Sequence, residues 1–136
     1  MTAYVLDASA LIRYLDNEPG AERVDAIIGE CLAARARGFV SAIQWGEVAG
    51  NVRKRFGAPL ELKAMNRLLA TEIEIVPATG DQAVHAAELR VDRKISYADA
   101  FALDLAMQSA ERVLVTADYG FKVVEDLARI EFLPAK

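Results

Sequence analysis

The sequence is poor in the residues that build disulfide frameworks and zinc sites. It has one cysteine, Cys31, and one histidine, His85, among 136 residues. A lone cysteine cannot form an intrachain disulfide, and without paired cysteines or histidines a structural zinc site is not expected. We interpret Cys31 as a small apolar residue of a helix. His85 lies in the middle of a predicted helix, so we expect a structural or surface role rather than that of a catalytic base.

Long apolar runs and secretory features are also missing. No stretch approaches the roughly 20 apolar residues that are needed to cross a bilayer. The first residues contain an acid, Asp7, and no basic segment ahead of an apolar one, so a secretory signal is not expected. With 54% hydrophobic and 26% charged residues, the chain is expected to form one domain over residues 1–136. We therefore expect a cytoplasmic protein that does not contact membranes.

Positive charge is not in excess, since 16 Lys and Arg residues face 20 Asp and Glu residues, for a net charge of -4. Phosphate contacts dominate nucleic-acid affinity, so this balance argues weakly against such a partner. A local basic rim would still attract RNA, and the surplus acid would also fit carboxylates that surround cations. Composition leaves both interpretations open.

Short β-prone segments alternate with helical patterns along the chain. The predicted strands are 3–6, 39–40, 73–76, 113–115 and 130–133. The predicted helices follow residue 7 and then cover 21–37, 41–55, 59–69, 79–93, 96–110 and 122–127. Capping boxes are predicted at Ser41 with Gln44 and at Thr79 with Gln82. This alternation predicts an α/β fold, a parallel sheet with helices on both faces.

Four acids lie where such a sheet would bind a ligand, near the carboxyl ends of its strands. Asp7 directly follows the first strand, and Asp118 comes three residues after the fourth. Glu47 lies about two turns into the helix after the second strand, and Asp99 lies in the first turn of the helix that Ser96 opens. Singly, Asp7 and Asp99 also suit helix capping and Asp118 suits a turn. Glu47 is harder to explain that way, because its neighbours are mostly apolar or small.

Carboxylates that cluster repel one another and raise one another's pKa unless a cation lies between them. No lysine or histidine occurs at the equivalent strand ends to supply that charge. An all-oxygen site suits Mg²⁺ or Mn²⁺, and Mg²⁺ usually binds a few carboxylates together with substrate phosphates. The sequence therefore indicates metal-assisted cleavage of a phosphodiester bond.

Five segments resemble PIN-domain ribonucleases, and specifically the VapC-type toxins of toxin–antitoxin pairs. They are Leu-Asp-Ala-Ser-Ala-Leu at 6–11, Glu-Pro-Gly at 18–20, Ser-Ala-Ile-Gln-Trp-Gly-Glu-Val at 41–48, Ser-Tyr-Ala-Asp-Ala at 96–100 and Thr-Ala-Asp-Tyr-Gly-Phe at 116–121. Their order spans nearly the whole chain. The resemblance implies a PIN-like three-layer α/β/α fold with a central short-stranded parallel sheet, and a metal-dependent endoribonuclease. It also implies inhibition by a cognate antitoxin, a homodimer and a toxin–antitoxin hetero-oligomer.

The resemblance also assigns roles to individual residues. The family's acidic quartet, which binds metal directly or through water, is matched by Asp7, Glu47, Asp99 and Asp118. Ser9 and Thr116 match small hydroxyl positions that orient carboxylates or bound water. Asp104 departs from the family, which often has a small or apolar residue there. It lies about 140° around the helix from Asp99, so we do not expect it to share a ligand role.

Two other functions are weighed against the ribonuclease. An aspartyl phosphatase usually needs a second aspartate two residues after the first, where this chain has Ser9. A non-catalytic PIN-fold module that only binds protein would be marked by loss of an acid, and no acid is lost.

Several other residues have two interpretations. The basic segments 53–55 and 90–94 suit either RNA steering or solvated helix ends. Trp45 and Tyr97 each precede a proposed ligand by two residues. We expect core packing for Trp45 and leave base stacking open for Tyr97.

Overall fold

The computed structural model describes residues 1–136, which form five strands, six α-helices and one 3₁₀ helix. In chain order they are β1 (Thr2–Leu6), α1 (Ala8–Leu15), α2 (Ala21–Leu32), β2 (Ala36–Ser41), α3 (Ala42–Phe56), α4 (Ala58–Leu69), β3 (Glu74–Val76), α5 (Gly80–Arg93), α6 (Tyr97–Met107), β4 (Arg112–Thr116), the 3₁₀ helix (Tyr119–Val124) and β5 (Arg129–Phe132). None of the helices has the length and apolar character that a bilayer crossing requires.

The strands form one five-stranded sheet in the order β3-β2-β1-β4-β5, and every neighbouring pair is parallel. Side chains of β1 alternate between two hydrophobic cores, as expected for a strand covered on both faces. Tyr4 and Leu6 pack with α1 to α4, whereas Ala3 and Val5 pack with α5 and α6. The predicted three-layer α/β/α fold with a parallel sheet is therefore confirmed.

The boundary between α2 and β2 was predicted wrongly. The helix predicted for 21–37 ends at Leu32, and Ala34 adopts the left-handed conformation with φ 59°. The strand predicted for 39–40 starts at Ala36, which pairs with Thr2 of β1. The alanine- and arginine-rich segment has high helix propensity, but pairing with the central strand outweighs it. Gly38, predicted to close the helix, lies inside the strand.

One predicted capping box is present and the other is not. Thr79 Oγ1 accepts a hydrogen bond from Gln82 N at 3.1 Å, and Gln82 Oε1 accepts one from Thr79 N at 3.2 Å. At the start of α3, Ser41 Oγ accepts from Ile43 N at 3.2 Å, but the Gln44 side chain does not return to the cap.

Near the C-terminus, two predicted helices have different bounds. The helix predicted for 96–110 covers Tyr97–Met107, and the one predicted for 122–127 is a 3₁₀ helix at Tyr119–Val124.

Candidate active site

Asp7 lies at the carboxyl end of the central strand and is only 1% exposed. Its Oδ1 accepts hydrogen bonds from Ser9 Oγ at 2.7 Å and from Ala10 N at 2.9 Å. Its Oδ2 accepts one from Thr116 Oγ1 at 2.6 Å. The bond from Ala10 is a helix N-cap, so Asp7 caps α1 while it also faces the sheet edge. Three donor atoms of the protein therefore fix this carboxylate and its orientation.

The hydroxyls of Ser9 and Thr116 join the edges of β1 and β4. Their oxygens lie 3.2 Å apart. Ser9 Oγ also accepts from Ala117 N at 2.8 Å, and Thr116 Oγ1 accepts from Asp118 N at 2.9 Å. The two hydroxyls thus connect the Asp7 carboxylate to the turn that carries Asp118. These contacts are those expected of groups that orient a carboxylate, and their part in metal binding stays a prediction.

The other three acids approach from different elements. Asp118 is exposed after β4, and its Oδ1 accepts from Gly120 N at 2.8 Å, so it also stabilises its own turn. Asp99 is half-buried in the first turn of α6, where Ser96 Oγ accepts from the Asp99 backbone N at 3.1 Å. Glu47 is exposed on α3.

Asp99 interacts electrostatically with each of the other three acids. Burial raises the pKa of Asp99 to about 6, with repulsion from Asp118 and then Glu47 adding to it, against an opposing hydrogen bond from Ser96. Burial likewise raises the pKa of Asp7 to about 6, opposed by its hydrogen bonds and increased by the charge of Asp99. Burial also raises the pKa of Glu47. The structure therefore brings the four predicted acids into one electrostatic cluster.

Gln44 is the residue of this site that sequence reasoning missed. Its side chain is 1% exposed, and its Oε1 accepts from Ala8 N at 2.7 Å while its Nε2 donates to Ala98 O at 2.7 Å. One amide thereby holds the starts of α1 and α6 against α3, the helices beside Asp7, Asp99 and Glu47. The available signal was the four-residue spacing of Gln44 with Val48 and Val52, which places the amide on the apolar face of the helix.

The donor set fits a hard dication, although the side chains do not form a ready site. All four acids offer carboxylate oxygens, and none of them forms an ion pair with a basic side chain. This uncompensated negative charge suits Mg²⁺ or Mn²⁺. No three acids lie close enough together to hold one ion directly. Since Mg²⁺ usually keeps several waters, a shell with only part of its ligands from protein matches this spacing better than a closed cage.

His85 and Asp104 lie apart from the cluster, between α5 and α6. His85 Nδ1 hydrogen-bonds Asp104 Oδ1. Asp104 is 7% exposed, and its Oδ2 accepts from Gln82 Nε2 at 3.0 Å and from Gln108 Nε2 at 3.2 Å. These contacts hold the two helices together, which fits the structural role expected for His85; the expectation that Asp104 is not a metal ligand stays a prediction.

Three arginines of the basic segments pair with carboxylates of the protein itself. The pairs are Arg53 with Glu61, Arg55 with Asp16, and Arg93 with Asp126. All three pairs lie near the ends of helices, which favours the interpretation of these segments as solvated helix ends.

The two aromatic residues near the acids differ in exposure. Trp45 is partly buried against the core beneath α1 to α4, as expected. Tyr97 is 39% exposed, with its ring edge-on to Phe101 at 5.0 Å between centroids.

The chain matches the family model of the PIN domain over residues 4–127. It belongs to the PIN domain family. PIN domains are typically nucleases, and the nucleases of the family generally use divalent metals. No curated protein sequence matches this PIN domain.

Solved structures of VapC toxins share the fold of this PIN domain. VapBC2 from Rickettsia felis, bound to a DNA fragment from its promoter, matches with a TM-score of 0.75 at 20% identity, over 98% of this chain and 100% of that chain. DNA-bound VapBC from Salmonella typhimurium matches with a TM-score of 0.71 at 19% identity, over 97% and 98%. VapC20 from Mycobacterium tuberculosis, a sarcin–ricin loop cleaving toxin, matches with a TM-score of 0.68 at 17% identity, over 89% and 94%.

Proposed function

We propose that this PIN domain is a metal-dependent endoribonuclease and the toxin of a VapBC-type toxin–antitoxin pair. The observation that carries the proposal is the convergence of three unpaired acids, Asp7, Glu47 and Asp118, on a fourth, Asp99, at the carboxyl edge of a parallel sheet. Ligands bind at that edge in open α/β sheets, and the mutual repulsion of the acids favours entry of a dication.

Each acid has a part in this proposal. Asp7 and Asp99, the two with the pKa raised to about 6, bind Mg²⁺ or Mn²⁺. Glu47 and Asp118, which are both exposed, complete the site directly or through water. When bound, the ion lowers the pKa of a water and neutralises charge on the cleaved phosphate. The protein's own contribution is to hold the carboxylates in place, which the contacts of Gln44 provide for the helix starts.

The partners proposed are RNA as substrate and an antitoxin protein as inhibitor, within a homodimer and a toxin–antitoxin hetero-oligomer in the cytoplasm. The similar structures from Rickettsia felis and Salmonella typhimurium are VapBC complexes bound to DNA, which supports this pairing. An apolar cavity of about 310 Å³ between α1, α3 and α4 supports it as well. Its lining includes Phe56 and Leu60, which are 51% and 47% exposed. A short reading frame for a DNA-binding protein beside this one would support it further.

The test of the catalytic proposal is cleavage of RNA by the purified protein, freed of any partner, in Mg²⁺ or Mn²⁺. We expect cleavage to need the metal and to be abolished by Asp99→Asn. Asp25→Asn is the matched control, because Asp25 is an exposed acid on α2 outside the cluster. Full cleavage by Asp99→Asn, or undiminished cleavage in excess EDTA, would contradict the mechanism. Absence of cleavage by the native protein in either metal would favour the alternative of a non-catalytic module that binds protein.

A further inference from the structure

A cavity of about 540 Å³ with a mixed polar and apolar lining opens beside the acid cluster on the side of Asp118. Ser9 and Asp118 line it, and both also belong to the candidate active site. Its volume falls within the range of sites that hold small organic ligands. The other side chains on its wall, Arg13, Tyr119 and Lys136 among them, have no part in the proposed metal site.

Arg13 is a fixed cation on the wall of this cavity. The residue is only 8% exposed, yet its guanidinium forms no salt bridge with a carboxylate. Its Nη1 donates to Pro19 O at 2.6 Å and to Pro134 O at 2.7 Å, and these are the only protein hydrogen bonds of the guanidinium. A guanidinium has five N–H donors, so several are left for a ligand in the cavity. A positioned arginine with free donors suits the oxygens of a phosphate.

Two carboxylates also line the cavity, but neither cancels the positive charge of Arg13. Glu18 forms a salt bridge with Lys136, which lowers the pKa of Glu18 more than the charge of Arg13 does. Asp118 belongs to the acid cluster at the other end. The charge on Arg13 is therefore available to an anionic ligand.

Tyr119 places a fixed aromatic ring on the same wall. Its hydroxyl donates to Leu133 O at 2.8 Å. The ring packs edge-on to Phe132, with centroids 5.3 Å apart and an interplanar angle of 89°. The residue nevertheless stays 42% exposed. A rigid, half-exposed ring is suited to stacking against a nucleobase, because little conformational freedom is lost on binding.

We infer that this cavity is a nucleotide subsite for single-stranded RNA, in which Arg13 contacts a backbone phosphate and Tyr119 stacks the adjoining base. The inference rests on the proposed ribonuclease function. Because Ser9 and Asp118 border both sites, the bound nucleotide is a neighbour of the cleaved bond. Stacking is tolerant of base identity, so the subsite supplies affinity and position rather than sequence recognition.

The phosphate contact is tested by binding in the Asp99→Asn background, where cleavage is absent. The probe is a fluorescent ten-nucleotide single-stranded RNA of mixed sequence, and anisotropy gives Kd as a function of KCl concentration. Arg13→Gln is expected to lower the slope of log Kd against log salt by about 0.7, the value for one phosphate contact to a single strand. Arg37→Gln is the matched control, because Arg37 is exposed near the amino end of β2, whereas the acids lie at the carboxyl edge of the sheet. The salt slope of Arg37→Gln should equal that of the Asp99→Asn background.

The stacking contact is tested with Tyr119→Leu and the conservative Tyr119→Phe. Loss of the ring is expected to weaken binding roughly tenfold, whereas phenylalanine keeps the ring and the affinity. The same RNA is then made with one abasic ribose at each position in turn. With tyrosine, one position should cost about tenfold in affinity, and that single penalty should disappear in Tyr119→Leu. A purely structural role for Tyr119 would not remove the penalty at one position alone.

The outcomes separate this inference from the function on which it rests. If the native protein cleaves RNA but Tyr119→Leu keeps every abasic penalty, the subsite is refuted and the nuclease stands. An unchanged salt slope in folded Arg13→Gln likewise refutes the phosphate contact. If Arg13→Gln fails to fold, the abasic scan with Tyr119→Leu decides. A native protein that neither binds nor cleaves the RNA overturns both proposals.

Discussion

Replacing Asp99 with asparagine is expected to stabilise the metal-free protein at neutral pH. In the folded state, burial and the charges of Asp118 and Glu47 raise the pKa of Asp99 from 3.8 to about 6. Each pKa unit corresponds to about 1.4 kcal/mol, so a fully buried group with this shift would destabilise the charged protein by about 3 kcal/mol. Asp99 is half-buried, and solvent screening roughly halves that figure, to about 1–2 kcal/mol. For a domain of this size, the gain corresponds to an increase in Tm of about 5 °C.

The gain in stability of Asp99→Asn over the native protein should depend on pH in a defined direction. The folded protein holds the Asp99 proton more tightly than the unfolded chain does, since the pKa is about 6 against 3.8. The contribution of Asp99 to the stability of the native protein therefore falls as the pH rises from about 4 to about 6, and this loss is complete above that window. Asparagine does not titrate. The advantage of Asp99→Asn should consequently be greatest above pH 6 and shrink towards zero near pH 4.

The assay is thermal unfolding in EDTA from pH 4 to pH 8, with Asp25→Asn as the control for an exposed acid. A second series adds Mg²⁺ at pH 7.5, which should raise the Tm of the native protein more than that of Asp99→Asn, because the ion binds only the folded state. The reasoning would be refuted if Asp99→Asn lowered the Tm at pH 7.5. A difference of equal size at pH 4 and pH 7.5 would also refute it.

Two further changes test the groups that position the acids. Gln44→Ala leaves the buried Ala8 N and the part-buried Ala98 O without their partner and should cost about 2–4 kcal/mol in the free energy of unfolding, measured with urea. A loss below about 1 kcal/mol would contradict the role of Gln44 in joining the helices. Thr116→Val removes the hydroxyl that donates to Asp7 and should weaken Mg²⁺ binding about 10- to 100-fold by calorimetry, while Thr116→Ser restores it. Equal affinities in all three proteins would show that this hydroxyl does not tune the site.

The parts of the site that follow strand ends could be predicted from local sequence. Asp7 comes directly after β1, and the parallel pairing of β1 with β4 brings Asp118 to the same edge. Glu47 and Asp99 lie on helices, and the direction in which a helix faces depends on its packing. Their assignment needed the family resemblance in addition to the pattern.

The contacts that hold the site together could not be predicted in this way. Ser41 and Gln44 have the spacing of a capping box, but the Gln44 amide bonds groups that lie 36 and 54 residues away in the sequence. The pairing of His85 with Asp104 spans 19 residues and depends on how α5 packs against α6. The end of α2 was missed for the same reason, because the partner of Ala36 is Thr2. In each case a long-range contact outweighs a local preference.

The contact between Ser9 and Thr116 joins residues that are 107 positions apart. Asp7 and Ser9 are made early in synthesis, yet the second hydroxyl that orients Asp7, that of Thr116, belongs to β4, which starts only at Arg112. A chain that is cut or stalled before β4 has neither that hydroxyl nor Asp118, so it cannot assemble the proposed metal site. Long-range strand pairing of this kind is also slow to form. For an enzyme proposed to cut the RNA of the cell that makes it, we therefore expect incomplete copies to lack that activity.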